Sequence, residues 1–310
     1  MRPAGILLLD KPPGPTSHDA VAAVRRTLGI RRVGHFGTLD PFASGLLVCA
    51  VGSATRLAPF AAGHDRSYRA TVRLGWTSTT DDPEGERTAV PDAKPPSCEA
   101  VESASRAWIG EVTQTPPAYS AKHVRGKRAY ARARAGEAVE LPEARITIHD
   151  IRIVRYTYPD LEMEIRCGPG TYIRALARDL GGALRTGGYC AALRREGAGP
   201  FSVRDALPWG ALAEPDAASE AILPAEAAIA DLPAVELDEA EREAAVQGRA
   251  MPMPRGIPGD ARWVRLRGPE GFIGLAEVRE NRWLQPRRIL YGEGEDAGRG
   301  PRQTTRGSER

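Results

Sequence analysis

Cysteine, histidine and long apolar runs are scarce in this sequence. The four cysteines, Cys49, Cys98, Cys167 and Cys190, lie far apart without paired spacing, which argues against disulfides and a zinc site and fits a reducing cytoplasm. The five histidines do not cluster with them, so we expect no metal. No apolar stretch is long enough to span a bilayer, and Ile6–Leu9 is too short for a signal peptide. These absences favour a soluble, cytoplasmic protein.

A marked excess of either charge is also missing, because the net charge is only +3 over 310 residues. The charges are nevertheless segregated. The stretch 214–243 holds ten acids against Arg242 alone. The stretch 119–136 holds two tyrosines, no acid and six basic residues: Lys122, Arg125, Lys127, Arg128, Arg132 and Arg134. A charge run is usually a solvated helix face, but this dense basic block favours contact with a phosphate backbone.

One loop places a single carboxylate at a tight bend. Residues 37–47 read GTLDPFASGLL, with Asp40 immediately before Pro41. Pro41 fixes its own φ and biases Asp40 toward extended geometry, while the small residues nearby let a backbone or a ligand come close. The apolar run 46–51 predicts a buried strand that anchors the bend. Asp-Pro is also a common structural turn, so this segment alone leaves both a structural and a catalytic role open.

The hydrophobic pattern predicts a mixed α/β domain whose strands are mostly joined by hairpins. Helices are predicted from a cap at Ser17 or Asp19 to Leu28, near 98–109, and within 172–184. Strands are predicted at 5–10, 46–51, 68–74, 145–156 and 161–167. In the third helix, apolar residues at helical spacing predict a stripe that faces the core: Ile173, Leu176, Ala177, Leu180 and Leu184.

A second, smaller unit is expected toward the end of the chain. A connector rich in alanine, proline and acids covers about 208–235, and a short helix ended by Gly248 follows it. Short strands divided by turns then predict a compact all-β unit of the pseudo-barrel kind over 236–291. Residues 292–310 have almost nothing to bury and are predicted to be disordered. The length allows a core-forming domain over 1–235 and this smaller one.

Five segments carry a family resemblance in a fixed order. They read LLLDKPPGPTSHD (7–19), VGHFGTLDPFASGLL (33–47), RSYRATVRLG (66–75), QTPPAYSAKHVRGKRAY (114–130), and CGPGTYIRALARDLG (167–181) with AALRREGAGPF (191–201). Together they resemble the bacterial tRNA pseudouridine-55 synthases of the TruB family, and the last unit is similar to the RNA-binding PUA domain. The resemblance implies an α+β fold: a pseudouridine synthase catalytic domain with a mixed, largely antiparallel sheet, flanking helices and an RNA-contacting loop at about 115–144, plus a small PUA-like pseudo-barrel.

The resemblance implies that the protein isomerises uridine-55 in the T-loop of tRNA. No electron, phosphate or acyl group moves in this reaction, so a carboxylate nucleophile suffices and no cofactor is expected. Asp40 matches that nucleophile, and Arg174 matches the arginine that keeps it ionised. Tyr172 matches a general base for a later proton transfer, although it can also be a buried tyrosine bonded to a carbonyl. If Tyr172 and Arg174 face one side, residues 171–174 should be extended.

The same resemblance implies a set of substrate contacts. The target base must be flipped out of a folded loop, and Tyr68 matches an aromatic platform for it. Leu193 matches an apolar wall of the pocket, and His35 matches the residue that fills the space left by the base. Lys11 matches a lysine that supports the pocket, but it can also only pin the turn. Three residues of the basic block match contacts to the T-arm of tRNA: Lys122, Lys127 and Arg128.

Two other functions stay open at this point. One is a non-catalytic tRNA-binding foldase, although binding alone does not need a nucleophile. The other is a pseudouridine synthase guided by a separate RNA. Phe36, Phe42 and the turn 167–170 depart from the family pattern and affect only the shape expected for the RNA-facing loop. A monomer is expected for an enzyme that wraps one RNA arm.

Overall fold

A computed structural model describes residues 4–117, 123–124, 127–128, 141–280 and 282–290, with only the backbone at 123–124 and 127–128. The chain divides into two compact units, Gly5–Ala230 and a unit that begins at Asp231. Most of the predicted RNA-contacting loop and the predicted tail at 292–310 lie outside the described residues. Within the ranges described, no helix is long and apolar enough to cross a membrane.

The first unit contains short and long strands in chain order. They are β1 (Gly5–Lys11), β2 (Val33–His35), β3 (Ser44–Val51), β4 (Arg66–Leu74), β5 (Trp76–Ser78), β6 (Arg87–Ala89), β7 (Gly110–Gln114), β8 (His123–Val124), β9 (Lys127–Arg128), β10 (Ala144–Thr157), β11 (Asp160–Cys167), β12 (Gly188–Ala198), β13 (Phe201–Ser202), β14 (Leu207–Pro208) and β15 (Ile222–Leu223).

Most of these strands form one large mixed sheet, so the predicted fold class is confirmed. Its main path runs β14-β1-β3-β12-β4-β11-β10-β7, and β2, β13 and β15 pair at its sides. Neighbours on the path are antiparallel except β1 with β14 and β3 with β12. The parallel contact of β3 with β12 is important for the site, because it brings the end of the Asp40 loop beside β12.

Helices cover this sheet. The α-helices of the first unit are α1 (Ser17–Leu28), α2 (Ala58–Ala61), α3 (Cys98–Arg106), α4 (Ile173–Ala183) and α5 (Pro215–Glu220), and 3₁₀ turns lie at Gly52–Leu57, Val203–Asp205, Trp209–Ala213 and Ala225–Ile229. The predicted apolar stripe of α4 is confirmed as core from Ile173 to Leu180, whereas Leu184 is only partly buried. The apolar side chains of β1, β3, β4 and β11 supply the other side of this core.

The start of α1 differs from the sequence expectation in an informative way. Thr16, rather than Ser17 or Asp19, is the N-cap, and it forms a capping box with Asp19. Ser17 is 2% exposed. Its hydroxyl bonds the backbone of Leu39 instead of its own helix. The expectation was wrong because a tertiary contact, which local pattern cannot reveal, occupies the Ser17 side chain.

The second unit is a small sheet with one helix. Its elements are β16 (Ala234–Glu236), α6 (Glu239–Val246), β17 (Met251–Pro252), β18 (Trp263–Gly268), β19 (Gly271–Val278) and β20 (Trp283–Ile289), and the strand order is β16-β18-β19-β20-β17. The helix ahead of Gly248 is thus confirmed. Val264, Leu266, Ile273 and Leu284 form the centre of a separate apolar core. β16, at the end of the range predicted for the first domain, pairs with β18 of this sheet.

Candidate active site

The loop that carries Asp40 connects β2 to β3, and a buried arginine of β12 holds its first half. Arg195 is 1% exposed. Its Nη2 and Nη1 donate to the carbonyls of Gly37 and Thr38 at 3.1 and 3.3 Å, and its Nε donates to the Leu46 carbonyl at 2.7 Å. The planar guanidinium therefore joins the first half of the loop to the beginning of β3, the strand that follows the loop.

Two side chains from the start of the chain hold the rest of this loop. Ser17 Oγ donates to the Leu39 carbonyl at 2.9 Å and accepts from the Leu39 N–H at 2.8 Å. Lys11 Nζ donates to the Pro41 carbonyl at 3.3 Å. It also donates to the carbonyls of Pro12 and Pro15, in the turn between β1 and α1. The carbonyl at position 40 accepts from the N–H at position 43, at 3.1 Å. Every carbonyl from 37 to 41 thus has a donor, and the loop is ordered without a substrate.

The pairing of β4 with β12 places two apolar walls beside the loop. In this antiparallel register Tyr68 lies opposite Arg195, and Leu193 lies opposite Ala70. Because side chains alternate between the faces of a strand, Tyr68, Leu193 and Arg195 share one face. Burial raises the pKa of the Tyr68 hydroxyl, and the charge of Arg195 opposes that rise. Both walls are largely buried, with Tyr68 7% and Leu193 8% exposed.

The start of α4 supplies the other two predicted catalytic residues. The expectation that residues 171–174 are extended is wrong, because α4 begins at Ile173. Tyr172 is the N-cap, with φ −105° and ψ 109°, whereas Arg174 already lies in the first helical turn. A cation at this end of a helix is disfavoured by the helix dipole, so Arg174 needs compensating anions.

Two carboxylates provide that compensation. Arg174 is 4% exposed, with its Nε 2.9 Å from Asp40 Oδ2. On its other side, Nη1 donates to Asp82 Oδ2 at 2.9 Å and to the Thr80 carbonyl at 3.0 Å. Asp82 is 2% exposed. Its second oxygen accepts from the Thr80 hydroxyl at 2.5 Å and from the Glu84 N–H at 3.0 Å. Asp82 therefore fixes one side of the guanidinium while the other faces Asp40.

The pKa of Asp40 is raised above the usual value of an aspartate. Burial is the largest cause because it disfavours the charged form, Arg174 opposes the rise, and the Asp82 carboxylate adds to it. The Asp40 side chain is nevertheless 34% exposed, so a substrate can reach it. Arg174 thus favours the ionised carboxylate in a place where it would otherwise take up a proton more readily.

Asp40 opens onto a cavity of about 230 Å³. Pockets for drug-sized ligands span roughly 300–1,000 Å³, so this cavity suits one small group. Among the residues that the structure describes, no cluster of three His, Cys, Asp or Glu side chains could hold a metal ion. The cavity lining brings together five of the residues predicted from the sequence: Asp40, Tyr68, Tyr172, Arg174 and Leu193.

Two other predicted site residues, Lys11 and His35, do not line this cavity. Burial lowers the pKa of Lys11 to about 8, and its Nζ remains bonded to carbonyls. His35 Nδ1 accepts from the Gly37 N–H at 3.3 Å. Burial lowers the pKa of His35 as well, and this favours the neutral ring that such a bond requires. Lys122 and the side chains of Lys127 and Arg128 lie outside the described residues.

Sequence reasoning missed three residues that shape the site. Asp82 lies in the polar run 77–86, which reads as an ordinary hairpin loop. Arg195 interrupts a strand pattern at a position that faces inward, and a charge there is a signal that could have been read. Gln114, which is 1% exposed, bonds the backbone of Tyr172 through Oε1 at 2.9 Å and through Nε2 at 3.1 Å. It opens one of the five matched segments, but its residue type carries no chemical signal.

Comparison with known proteins matches both units. The protein-family model described as "TruB family pseudouridylate synthase (N terminal domain)" matches residues 25–173. A second family model, "Pseudouridine synthase II TruB, C-terminal", matches residues 233–290. The tRNA pseudouridine synthase B of Thermobifida fusca (strain YX) is 44% identical over 285 residues, which cover 89% of this chain and 94% of that protein. Its counterpart in Synechococcus sp. (strain WH7803) is 42% identical over 299 residues, covering 94% and 99%.

Solved structures show the same fold. A Cbf5-Nop10-Gar1 complex matches with a TM-score of 0.66 and 26% identity, over 88% of this chain and 78% of that chain. An H/ACA RNP bound to a substrate RNA containing 2'-deoxyuridine matches with a TM-score of 0.68 and 23% identity, over 92% and 84%, and this likeness concerns the fold alone. The identity to the two bacterial proteins extends over nearly the whole length. The chain therefore belongs to the TruB family of pseudouridine synthases.

Proposed function

We propose that this enzyme converts uridine-55 in the T-arm of tRNA to pseudouridine, with Asp40 as the nucleophile. The observation that carries the proposal is the Asp40–Arg174 ion pair, 2.9 Å from Nε to Oδ2, at a cavity large enough for one base. The curated relatives named tRNA pseudouridine synthase B support tRNA as the substrate. The uridine position and the role of Asp40 come from the resemblance of the matched segments to the family.

The reaction needs a carboxylate that stays ionised near a bound base. The bond from the ribose to the ring nitrogen breaks, the uracil turns over, and a bond forms from the ribose to a ring carbon. A covalent intermediate on Asp40 splits this hard rearrangement into easier steps. Arg174 supports that role because its guanidinium favours the ionised form of Asp40, whose pKa burial raises. Asp82 bonds the same guanidinium from the other side.

Tyr68 and Leu193 are suited to enclose the flipped base. The base must leave the stack of the RNA loop before Asp40 can reach its nucleotide. Tyr68 offers a ring face on which a pyrimidine can stack, and Leu193 offers an apolar surface in the same cavity lining. His35 accepts a hydrogen bond from the Gly37 N–H and does not line the cavity. Its contact with the RNA would therefore be made outside the cavity.

Tyr172 is the candidate general base. After the new carbon–carbon bond forms, the ring carbon must lose a proton and the freed ring nitrogen must gain one, so the product is an isomer of the substrate. Tyr172 lines the cavity with Asp40 and carries a hydroxyl group that can take part in this transfer. A tyrosine is an uncommon base near neutral pH, so its position must be well defined.

Binding of the tRNA arm is assigned to residues outside the cavity. Lys122, Lys127 and Arg128 belong to the basic block 119–136, where the absence of acids favours phosphate contacts. The second unit, whose sheet carries several arginines, is the candidate for contacts farther from the target uridine. Contacts of this kind raise affinity without raising the chemical rate.

Pseudouridine mapping in a tRNA transcript tests the proposal. The pure protein alone should form pseudouridine at position 55, and a transcript with cytidine at that position should gain none. Asp40→Asn keeps the size of the side chain but removes the nucleophile, so product should fall below a few per cent while the Kd for tRNA stays within about tenfold. Asp160→Asn is the matched control, because this carboxylate also pairs with an arginine, Arg73, and is similarly half-buried, but it does not line the cavity.

Each alternative gives a different result in the same assay. A foldase without catalysis would bind the transcript and leave every uridine unchanged. A guide-dependent synthase would need an added RNA before any product forms. Product at a uridine other than 55 would contradict the assignment of position, and an active Asp40→Asn enzyme would contradict the assignment of the nucleophile.

A further inference from the structure

Gln114, the last residue of β7, bonds the backbone of Tyr172 at two points. Oε1 accepts from the Tyr172 N–H at 2.9 Å, and Nε2 donates to the Tyr172 carbonyl at 3.1 Å. Exchange of the amide oxygen and nitrogen would place donor against donor and acceptor against acceptor, so only this orientation satisfies both groups. The buried side chain therefore pairs with Tyr172 as a neighbouring β-strand would.

This pairing lies where the chain enters α4. Tyr172 is the N-cap and makes no side-chain capping bond. Its carbonyl already accepts from the Leu176 N–H at 3.1 Å, so Gln114 adds a second donor there and supplies the acceptor for the N–H. The direction of a Cα–Cβ bond follows from the backbone. Fixing both peptide groups thus fixes the direction of the Cα–Cβ bond from which the Tyr172 side chain extends.

Gln114 is itself held by the sheet. It lies opposite Ala144 in the antiparallel pairing of β7 with β10. One residue further on, the Thr115 carbonyl accepts from Nη2 of Arg178, a residue of α4, at 2.9 Å. The end of β7 is therefore joined to α4 at two points, the N-cap Tyr172 and the mid-helix Arg178, and Tyr172 takes its position from the sheet.

We infer that Gln114 is a positioning residue for the chemical step: through the backbone of Tyr172, it holds the tyrosine side chain at the angle that proton transfer requires. The inference rests on the proposed role of Tyr172 as general base. Packing alone would not require an amide, because methionine has a similar length and fills buried space well. Two bonds from one buried side chain to one residue are the specific observation.

Three variants and a control test this in the full-length enzyme with intact tRNA. Gln114→Met removes both bonds, Tyr172→Phe removes only the hydroxyl, and the double variant combines them. Thr186→Val is the matched control, since Thr186 is 1% exposed and its hydroxyl donates to the Gly187 carbonyl at 2.8 Å, beyond the other end of α4. The single-turnover rate, the Kd for tRNA and the temperature of unfolding are measured for each.

The expected pattern is a loss of rate that depends on the tyrosine hydroxyl. Gln114→Met should lower the single-turnover rate by about tenfold or more and leave the Kd within about threefold. In the Tyr172→Phe background the same change should cost less than about threefold, because no hydroxyl remains to be positioned. Thr186→Val should lower the temperature of unfolding but keep the wild-type rate.

Gln114→Glu gives a second readout, which serves if the methionine variant does not fold. The ionised carboxylate accepts the Tyr172 N–H but sets an oxygen against the carbonyl, whereas the protonated acid can donate as the amide does. The rate of this variant, divided by the wild-type rate at the same pH, should rise as the pH falls. The ratio removes any effect of pH that the two enzymes share.

The outcomes separate this inference from the proposed function. A wild-type rate in Gln114→Met or a flat ratio in Gln114→Glu, beside an impaired Tyr172→Phe, overturns the inference and leaves the proposed function intact. Additive losses in the double variant also overturn it, because Gln114 would then act independently of Tyr172. A wild-type rate in Tyr172→Phe overturns the base role, and the inference with it.

Discussion

The two sides of the large sheet use arginine in opposite ways. On the cavity side, Arg174 and Arg195 are buried and bond carboxylates of the site or carbonyls of the Asp40 loop. On the other side, Arg69 and Arg155 pair with Glu162 at the solvent surface. Water and salt screen exposed pairs, whereas a buried charge that loses its partner is costly. Burial and partner, rather than residue type, decide which arginines matter for function.

The largest effect is expected from Arg174→Lys. Lysine keeps the charge but cannot bond Asp40 and Asp82 at the same time. Because the two-sided hold on Asp40 is lost, the single-turnover rate should fall by at least about 100-fold, which corresponds to roughly 2.7 kcal/mol of transition-state stabilisation. Arg155→Lys, on the opposite side, is the control and should keep the wild-type rate. Wild-type kinetics in Arg174→Lys would remove the distinction between the two sides.

Asp82→Asn should change the pH dependence as well as the rate. In the proposed mechanism ionised Asp40 is the reactive form, so the rate should fall as the pH falls through the pKa of Asp40. The Asp82 carboxylate contributes to the raised pKa of Asp40, and a neutral asparagine removes that contribution. The acid limb of the single-turnover profile should therefore move to lower pH, while the maximal rate decreases because Arg174 loses an anchor. An acid limb at the same pH in Asp82→Asn and in the wild-type enzyme would contradict the electrostatic coupling of Asp40 to Asp82.

Tyr68 should act through its ring. Tyr68→Ala should weaken capture of the flipped base by roughly 1–3 kcal/mol, the contribution of one base–aromatic stack. Tyr68→Phe keeps the ring and loses only the hydroxyl, so its effect should be smaller. The Kd of each variant for tRNA, measured beside the single-turnover rate, tests this. Equal losses in the two variants would assign the importance of Tyr68 to the hydroxyl.

The smallest effect is expected on the exposed side. Arg155→Ala removes one of the two arginines that bond Glu162, and Arg69 remains 3.3 Å from that carboxylate. Because water replaces the lost contact, the rate should stay within about twofold of wild type and the unfolding temperature should change little. Thermal unfolding at low and high salt measures the residual contribution. A large loss of stability would show that the exposed pairs form a cooperative network.

The sequence was informative where a motif is local. The five predicted residues in the cavity lining, Asp40 and Arg174 among them, come from segments that match the family in order. Local pattern could not reveal contacts between distant positions. Arg174 meets Asp82 across 92 residues, and Arg195 meets the Gly37 carbonyl across 158. The beginning of α4 was misplaced for a related reason, since Tyr172 and Arg174 reach one cavity from an N-cap and a first turn rather than from a strand.

The ordered loop around Asp40 shifts an entropic cost from catalysis to folding. A flexible loop would lose conformational entropy worth roughly 1–2 kcal/mol per residue each time that a substrate became bound. The carbonyls from 37 to 41 already have donors in the free protein, so this loss occurs once in the lifetime of each folded molecule. In the proposed mechanism, the motion that remains at this loop for every turnover belongs to the RNA, whose base has to leave its stack and meet a carboxylate that is already in place.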